Sequence, residues 1–592
     1  MRSNRLTLAV ATALTLVVAG CAERSEPKRD AVAVLVQGKQ QPAPPPADAK
    51  AKDQDEQKLE SIVVTGSRIR AVDLETAQPV VEVDRRASQT FAPAPMVQAP
   101  ARGGIALPQN TERYQDHADN PVHRAAEEPV STFSIDVDTG SYANVRRMLT
   151  DGQLPPADAV RAEEFMNYFD YGYAPPATRE VPFRVTTEVA PAPWNAQRQL
   201  MLVGIKGYEV PKSQIPAANV VFLIDTSGSM DEPNKLPLLR DAFKRMVPNL
   251  RAQDRVAIVV YAGSAGLVLE PTPGDRHERI VAALDSLAAG GSTNGGAGIA
   301  LAYTLAQQSF IKGGVNRVIL ATDGDFNVGT TDDEALKTLV AEKRKSGIAL
   351  TTLGFGEGNY NDQLAEQLAD VGNGNHAYID TLAEANKVLG DELSSTMLTI
   401  AKDVKIQVEF NPALVAEYRL IGYENRVLRG EDFNNDKIDA GEIGAGHDVT
   451  ALYEITLVGS GGETSDALRY GAKPSAPAAD ANELAFVKLR YKQPDADVSK
   501  LVAFPVRRDA VAREAGENLR FAAAVAAFAD RLRGGSHLGD FDFAAIGRLA
   551  GGAQGRDASG YRGEFVRLVD RAASLSATPV AAVQIAEPTA RR

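Results

Sequence analysis

The chain has 592 residues, 44% of them hydrophobic, which is enough to build several cores. Its 77 acidic side chains outnumber 64 basic ones, and the net charge of -13 argues against nucleic acid as a partner. Cys21 is the only cysteine, which excludes any disulfide within the chain.

In chain order, the first twenty residues read as a signal peptide. Arg2 and Arg5 give a basic start, Leu6 to Val18 an apolar core, and Val18-Ala19-Gly20-Cys21 a small-residue cleavage site. The apolar run is short for a bilayer span, and no second span follows. A plain secretory signal with an incidental cysteine is one reading. A cysteine used once, at that place, points instead to lipidation. The stretch resembles a bacterial lipobox, which implies diacylglyceryl attachment at Cys21 and stable anchoring by several acyl chains. Ala22 in the next position, where Asp is absent, implies the outer membrane by the enterobacterial sorting pattern, with its periplasmic and surface faces both open.

Residues 21–109 are rich in Pro, Ala and charge and read as a tether that cannot bury enough apolar surface to offset its ordering entropy. Within it, segment 59–84 differs. Leu59-Glu60-Ser61-Ile62-Val63-Val64-Thr65-Gly66-Ser67 and its continuation to Val80 resemble the TonB box and plug onset of TonB-dependent receptors. No barrel follows, so the chain is not such a receptor. The resemblance implies a strand, centred on Ile62, Val63 and Val64, offered to a TonB-like partner by strand addition. A relic of gene fusion or a chance apolar patch is the alternative.

Residues 110–217 read as an α+β module. Asp138-Thr139-Gly140 matches the short signature of aspartic proteases, but those enzymes need two carboxylates sharing a proton and no second Asp-Thr-Gly occurs. Phe183 to Val189 and Leu200 to Ile205 alternate like half-exposed strands. With its Leu154-Pro155-Pro156 turn, this region resembles the amino-terminal part of bacterial YfbK-like lipoproteins.

From residue 218 to 400, buried-strand patterns (Val220 to Ile224, Val256 to Tyr261, Val318 to Thr322, Ile348 to Leu353) alternate with stretches of helix periodicity, Ala383 to Leu398 among them. That alternation predicts an α/β fold with a doubly wound, mostly parallel, Rossmann-like sheet. Asp225-Thr226-Ser227-Gly228-Ser229 follows the first strand, at the sheet edge where such folds bind ligands. Three alternating oxygen side chains, with no nitrogen or sulfur, suit a hard cation such as Mg2+ or Mn2+. A glycine-rich loop, Gly290-Gly291-Ser292-Thr293-Asn294-Gly295-Gly296, and a second strand-terminal acid, Asp323, can complete the set. An ordinary Asx or Ser turn and metal-assisted hydrolysis are alternatives for the first loop. A Ser nucleophile lacks the Gly-x-Ser-x-Gly elbow.

The three elements together resemble the metal-ion-dependent adhesion site of von Willebrand factor type A domains. The resemblance implies Ser227, Ser229 and Thr293 as hydroxyl ligands, Asp225 and Asp323 as direct or water-mediated ones, and a sixth position filled by a protein partner's carboxylate. Asp231, Glu232 and Asp325 lie nearby, the first two reading as a solvated acid pair.

Residues 401–592 read as a β-rich plus helical module that again resembles YfbK-like proteins. Asp432 to Asp436 begins like a calcium loop but carries Lys437 and Ile443 where Gly and Glu are needed. The combined expectation is an envelope lipoprotein, a scaffold or assembly factor and not an enzyme, that binds a protein partner through a divalent metal. A surface adhesin with the same chemistry and a metal-dependent hydrolase are the alternatives.

Overall fold

The computed structural model describes residues 110–178, 180–324, 333–466 and 482–577. The expected signal peptide, Cys21, the tether with Ile62, Val63 and Val64, and Asp325 lie outside the described residues.

The middle of the chain forms a six-stranded sheet in the order His376–Tyr378, Ala349–Gly354, Val315–Thr322, Ala218–Asp225, Arg255–Tyr261, Ala265–Pro273. All neighbours are parallel except the last pair. Ala218–Asp225 is buried along its whole length, which follows from a cover on both faces. Val220, Phe222 and Ile224 pack with Leu239 and Phe243 of helix Leu236–Met246. Val221 and Leu223 pack with Ile299 and Ala302 of helix Gly295–Gln308. Each such buried Val, Leu, Ile or Phe side chain contributes about 1.5–3 kcal/mol relative to exposure. From this strand the chain builds the sheet first to one side and then to the other. The switch point therefore falls at Asp225, the predicted ligand edge.

The segments on either side are interleaved. One sheet runs His123–Arg124, Val415–Ile421, Asp448–Leu457, Asn195–Gly207, Phe183–Ala192. A second runs Ile443–Gly444, Thr399–Phe410, Glu483–Lys492, Lys500–Arg507, with Val130–Ser134 paired to Thr399–Phe410. Both share one core with helices Ala162–Asn167, Glu517–Arg533 and Tyr561–Ala577, through residues such as Phe165, Phe169, Leu202, Tyr453, Phe521 and Phe565. The sequence reading treats 110–217 and 401–592 as separate modules, whereas the structure builds them into one body interrupted by the α/β unit. Alternation reveals that a strand has a buried face but not its partner, so pairs such as Gly204 with Thr450 are invisible in the sequence.

The expected helix over Ala383 to Leu398 is also broken. Leu382–Asn386 and Leu393–Met397 are separated by a widened turn, Lys387–Asp391, which contains Gly390. Among the described residues no helix is long and apolar enough to cross a membrane.

Buried ion pairs join the α/β unit to its surroundings. Arg146 meets Asp380 and Glu384 and Arg161 meets Asp362, while Arg426, held within the flanking body by Asp136 and Asp138, reaches the partly exposed Asp370. Asp138, of the protease-like signature, also accepts the His376 backbone N–H at 2.7 Å, so its carboxylate holds structure.

Candidate metal centre

Asp225 closes the central strand with its side chain wholly buried, and Asp323, just past the neighbouring strand Val315–Thr322, is also 0% exposed. The loop after Asp225 folds back on it. The Ser227 backbone N–H donates to Asp225 Oδ1 at 2.8 Å, and Ser227 Oγ lies 3.0 Å from Ser229 Oγ. On the other side Thr322 Oγ1 donates to Asp225 Oδ2 at 3.2 Å. Burial pushes the Asp225 carboxyl up to about 6, against the Ser227 N–H, with the charge of Asp323 adding to the effect.

The glycine-rich loop is pinned to the same place by its backbone. The Gly290 N–H donates to the Thr226 carbonyl at 2.8 Å, and the Gly228 N–H donates to the Gly291 carbonyl at 3.1 Å. Gly291 has φ +89°, a conformation that favours glycine. Thr293 follows, half-buried, and Asn294 then caps helix Gly295–Gln308 by accepting the Ala297 N–H. Asp225, Ser227, Ser229, Asp323 and the Thr293 loop, far apart in sequence, are thus gathered at one sheet edge.

Two residues that the sequence reading missed complete the surroundings of Asp323. Lys235 Nζ lies 3.1 Å from Asp323 Oδ2, and Asn359 Nδ2 donates to the same oxygen at 3.0 Å. Lys235 Nζ also donates to Asn359 Oδ1 at 3.0 Å. A lysine before a helix reads as solvated, and nothing in the periodicity of Leu236–Met246 marks this one as buried. The loop that carries Asn359 is strapped in turn by the first described residues. The Thr111 N–H donates to Gly358 O at 2.7 Å, the Gly358 N–H to Glu112 Oε1 at 2.9 Å, and the Arg113 N–H to Tyr360 O at 2.9 Å. Arg147 pairs with Glu112 at 3.0 Å and holds the strap to helix Gly140–Thr150.

Other flagged residues fall elsewhere. Asp231 and Glu232 are exposed, as a solvated pair should be. Asp436 is taken by Arg490 at 2.9 Å and by the Ser499 hydroxyl at 2.6 Å, which gives the calcium-like loop a structural occupation. Among the described residues no group of three or more His, Cys, Asp or Glu side chains gathers as a metal-ligand set. Asp225, Asp323, Ser227 and Ser229 bring carboxylates and hydroxyls to the sheet edge, with the Thr293 loop beside them.

The chain is 50% identical over 469 residues to "Uncharacterized protein YfbK" of Escherichia coli (strain K12), covering 78% of this chain and 81% of that protein. The chain belongs to the YfbK family. The model of the family's carboxyl-terminal region, "Uncharacterized protein YfbK, C-terminal", matches residues 395–575, and that of the von Willebrand factor type A domain matches 219–391, the α/β unit. A further model, "von Willebrand factor", matches 108–202. Human inter-alpha-trypsin inhibitor heavy chain H3 is 25% identical over 260 residues, 40% of this chain and 28% of that protein. A solved structure, "von Willebrand factor type A from Catenulispora acidiphila", covers 67% of this chain and 91% of that one at 17% identity, with a TM-score of 0.39.

Proposed function

We propose that this member of the YfbK family is an envelope scaffold or assembly factor, anchored by lipid at Cys21, that binds an acidic residue of a protein partner through a divalent cation. The observation that carries the reading is the convergence of Asp225, Ser227 and Ser229 with buried Asp323 and the pinned Thr293 loop at the switch point of the sheet. The donor set fits a hard cation. It is all oxygen, and two acids share a wholly buried edge where burial disfavours the ionised form of Asp225.

Asp225, Ser227, Ser229, Thr293 and Asp323 are the residues proposed to hold Mg2+ or Mn2+. When bound, the ion supplies a positive centre for a partner carboxylate on a protein whose net charge is -13. The chain's own contribution is positional. The Ser227 N–H and the Thr322 hydroxyl fix the two oxygens of Asp225, and the backbone bonds to Gly290 and Gly291 fix the hydroxyl-bearing loops against each other. A hydroxyl-rich set favours holding a ligand over activating water, so the proposal is binding rather than catalysis.

Affinity capture from envelope extracts tests the reading. A partner retained in magnesium, released by EDTA and lost with Asp225→Ala is expected. Capture that is indifferent to both would overturn it.

A further inference from the structure

Lys235 is a buried cation placed on one of the two carboxylates of the proposed metal centre. Its side chain is 4% exposed, and its ammonium contacts Asp323 Oδ2 at 3.1 Å and Asn359 Oδ1 at 3.0 Å. The position is built from two sides. A Cβ on Gly356, which has φ +75°, would lie 2.4 Å from both Cγ and Cε of Lys235, so the backbone there presses directly on the lysine stem. Asn359, which shares the ammonium with Asp323, sits in the loop strapped by Thr111, Glu112 and Arg113. The ammonium is therefore confined beside Asp323.

We infer that Lys235 determines the specificity of the metal centre: its charge lowers the site's affinity for a divalent cation and leaves the loaded site with the positive charge that selects a carboxylate ligand. The inference rests on the metal reading proposed above. The carboxylates of Asp225 and Asp323 offset much of the charge of a divalent ion, which weakens the pull of that ion on an acidic side chain. Adding the Lys235 ammonium restores positive charge in a buried setting, where it is weakly screened. The same ammonium repels the incoming cation and shares the Asp323 oxygen with it. Weak metal binding and carboxylate selection thus have one cause.

The test uses the full chain as wild type, Lys235→Met and Lys235→Arg. Mg2+ affinity is measured by calorimetry. Acetate binding to the Mn2+-loaded protein is measured by paramagnetic relaxation of the acetate methyl protons. Met keeps an unbranched stem beneath Gly356 without the charge, and should bind Mg2+ at least about tenfold tighter while binding acetate several-fold more weakly. Arg should stay near wild type in both. If thermal melting shows Lys235→Met to be unfolded, Lys235→Gln carries the same two expectations. A neutral variant that binds Mg2+ no tighter than wild type, or acetate no more weakly, overturns the inference while the metal reading stands. A wild-type protein that binds neither Mg2+ nor Mn2+ overturns both.

Discussion

Arg161 and Asp362 form an ion pair in which each side chain is 1% exposed, and they come from different parts of the fold. Arg161 precedes helix Ala162–Asn167 in the flanking body, while Asp362 opens helix Asp362–Val371 of the type A domain. Burial works against ionisation of Asp362, but Arg161 and His376 overcome it and hold the carboxyl well below its ordinary range. Arg161 also pairs with Glu164. Arg161→Met would leave Glu164 buried without its cation and Asp362 with His376 alone, and should cost about 3–5 kcal/mol. Urea denaturation measures this. A loss under about 1 kcal/mol would mean that the pair does not hold the two parts together.

The acid stability of the protein should depend on His447. Burial, with Lys387, Lys206 and Arg317 adding, pushes its imidazole from 6.5 down to about 3, and its Nδ1 finds no hydrogen-bond partner among the described residues. The folded state keeps the ring neutral, while the unfolded chain takes up a proton below the ordinary value. Stability from this group is complete above about 6.5 and is lost as pH falls toward 3, by up to about 1.4 kcal/mol per pH unit. His447→Gln should flatten the curve between pH 6.5 and 4. An unchanged slope in parallel denaturation series would remove His447 as the cause.

The backbone beside Asp323 is predicted to be intolerant of a single methyl. Gly324 has φ +84°, and a Cβ there would lie 2.2 Å from the Asn361 backbone nitrogen. Gly313 has φ +71°, and a Cβ there would meet no atom of the described residues within 4 Å beyond its chain neighbours. Gly313→Ala should therefore cost only the left-handed backbone term of about 1–2 kcal/mol. Gly324→Ala should cost more than about 3 kcal/mol, because one backbone must also move off another. Equal melting temperatures for the two variants would contradict this.

For the anchor, Cys21→Ser should move the protein from the detergent phase to the aqueous phase in phase partitioning, since acylation is the proposed tie to the membrane. A variant that still partitions with detergent would set lipidation at Cys21 aside.

What the sequence makes legible here is local. Val220 to Ile224 announces a buried strand because its neighbours on both faces require apolar side chains, and the acid that ends it stands at the sheet edge as its place after the strand implies. The edge strand Ala265–Pro273 escaped notice: exposed Leu267 and the register shifts in its pairing blur the alternation that marks a strand. Lys235 and Asn359 escaped for a different reason. Their roles come from loops that meet only after folding, and a lysine ahead of a helix looks the same whether its ammonium faces water or Asp323. The pairing of the two flanking segments into one body is legible only in three dimensions.

Asp225 is proposed to hold a divalent cation at the switch point of the sheet. Calorimetric titration of Mg2+ into the folded wild-type and Asp225→Ala proteins tests it most directly, with melting curves to confirm that the loop-edge substitution leaves the fold intact. Saturable binding to the wild type and none to Asp225→Ala is expected. Equal Mg2+ binding by the two proteins would contradict it.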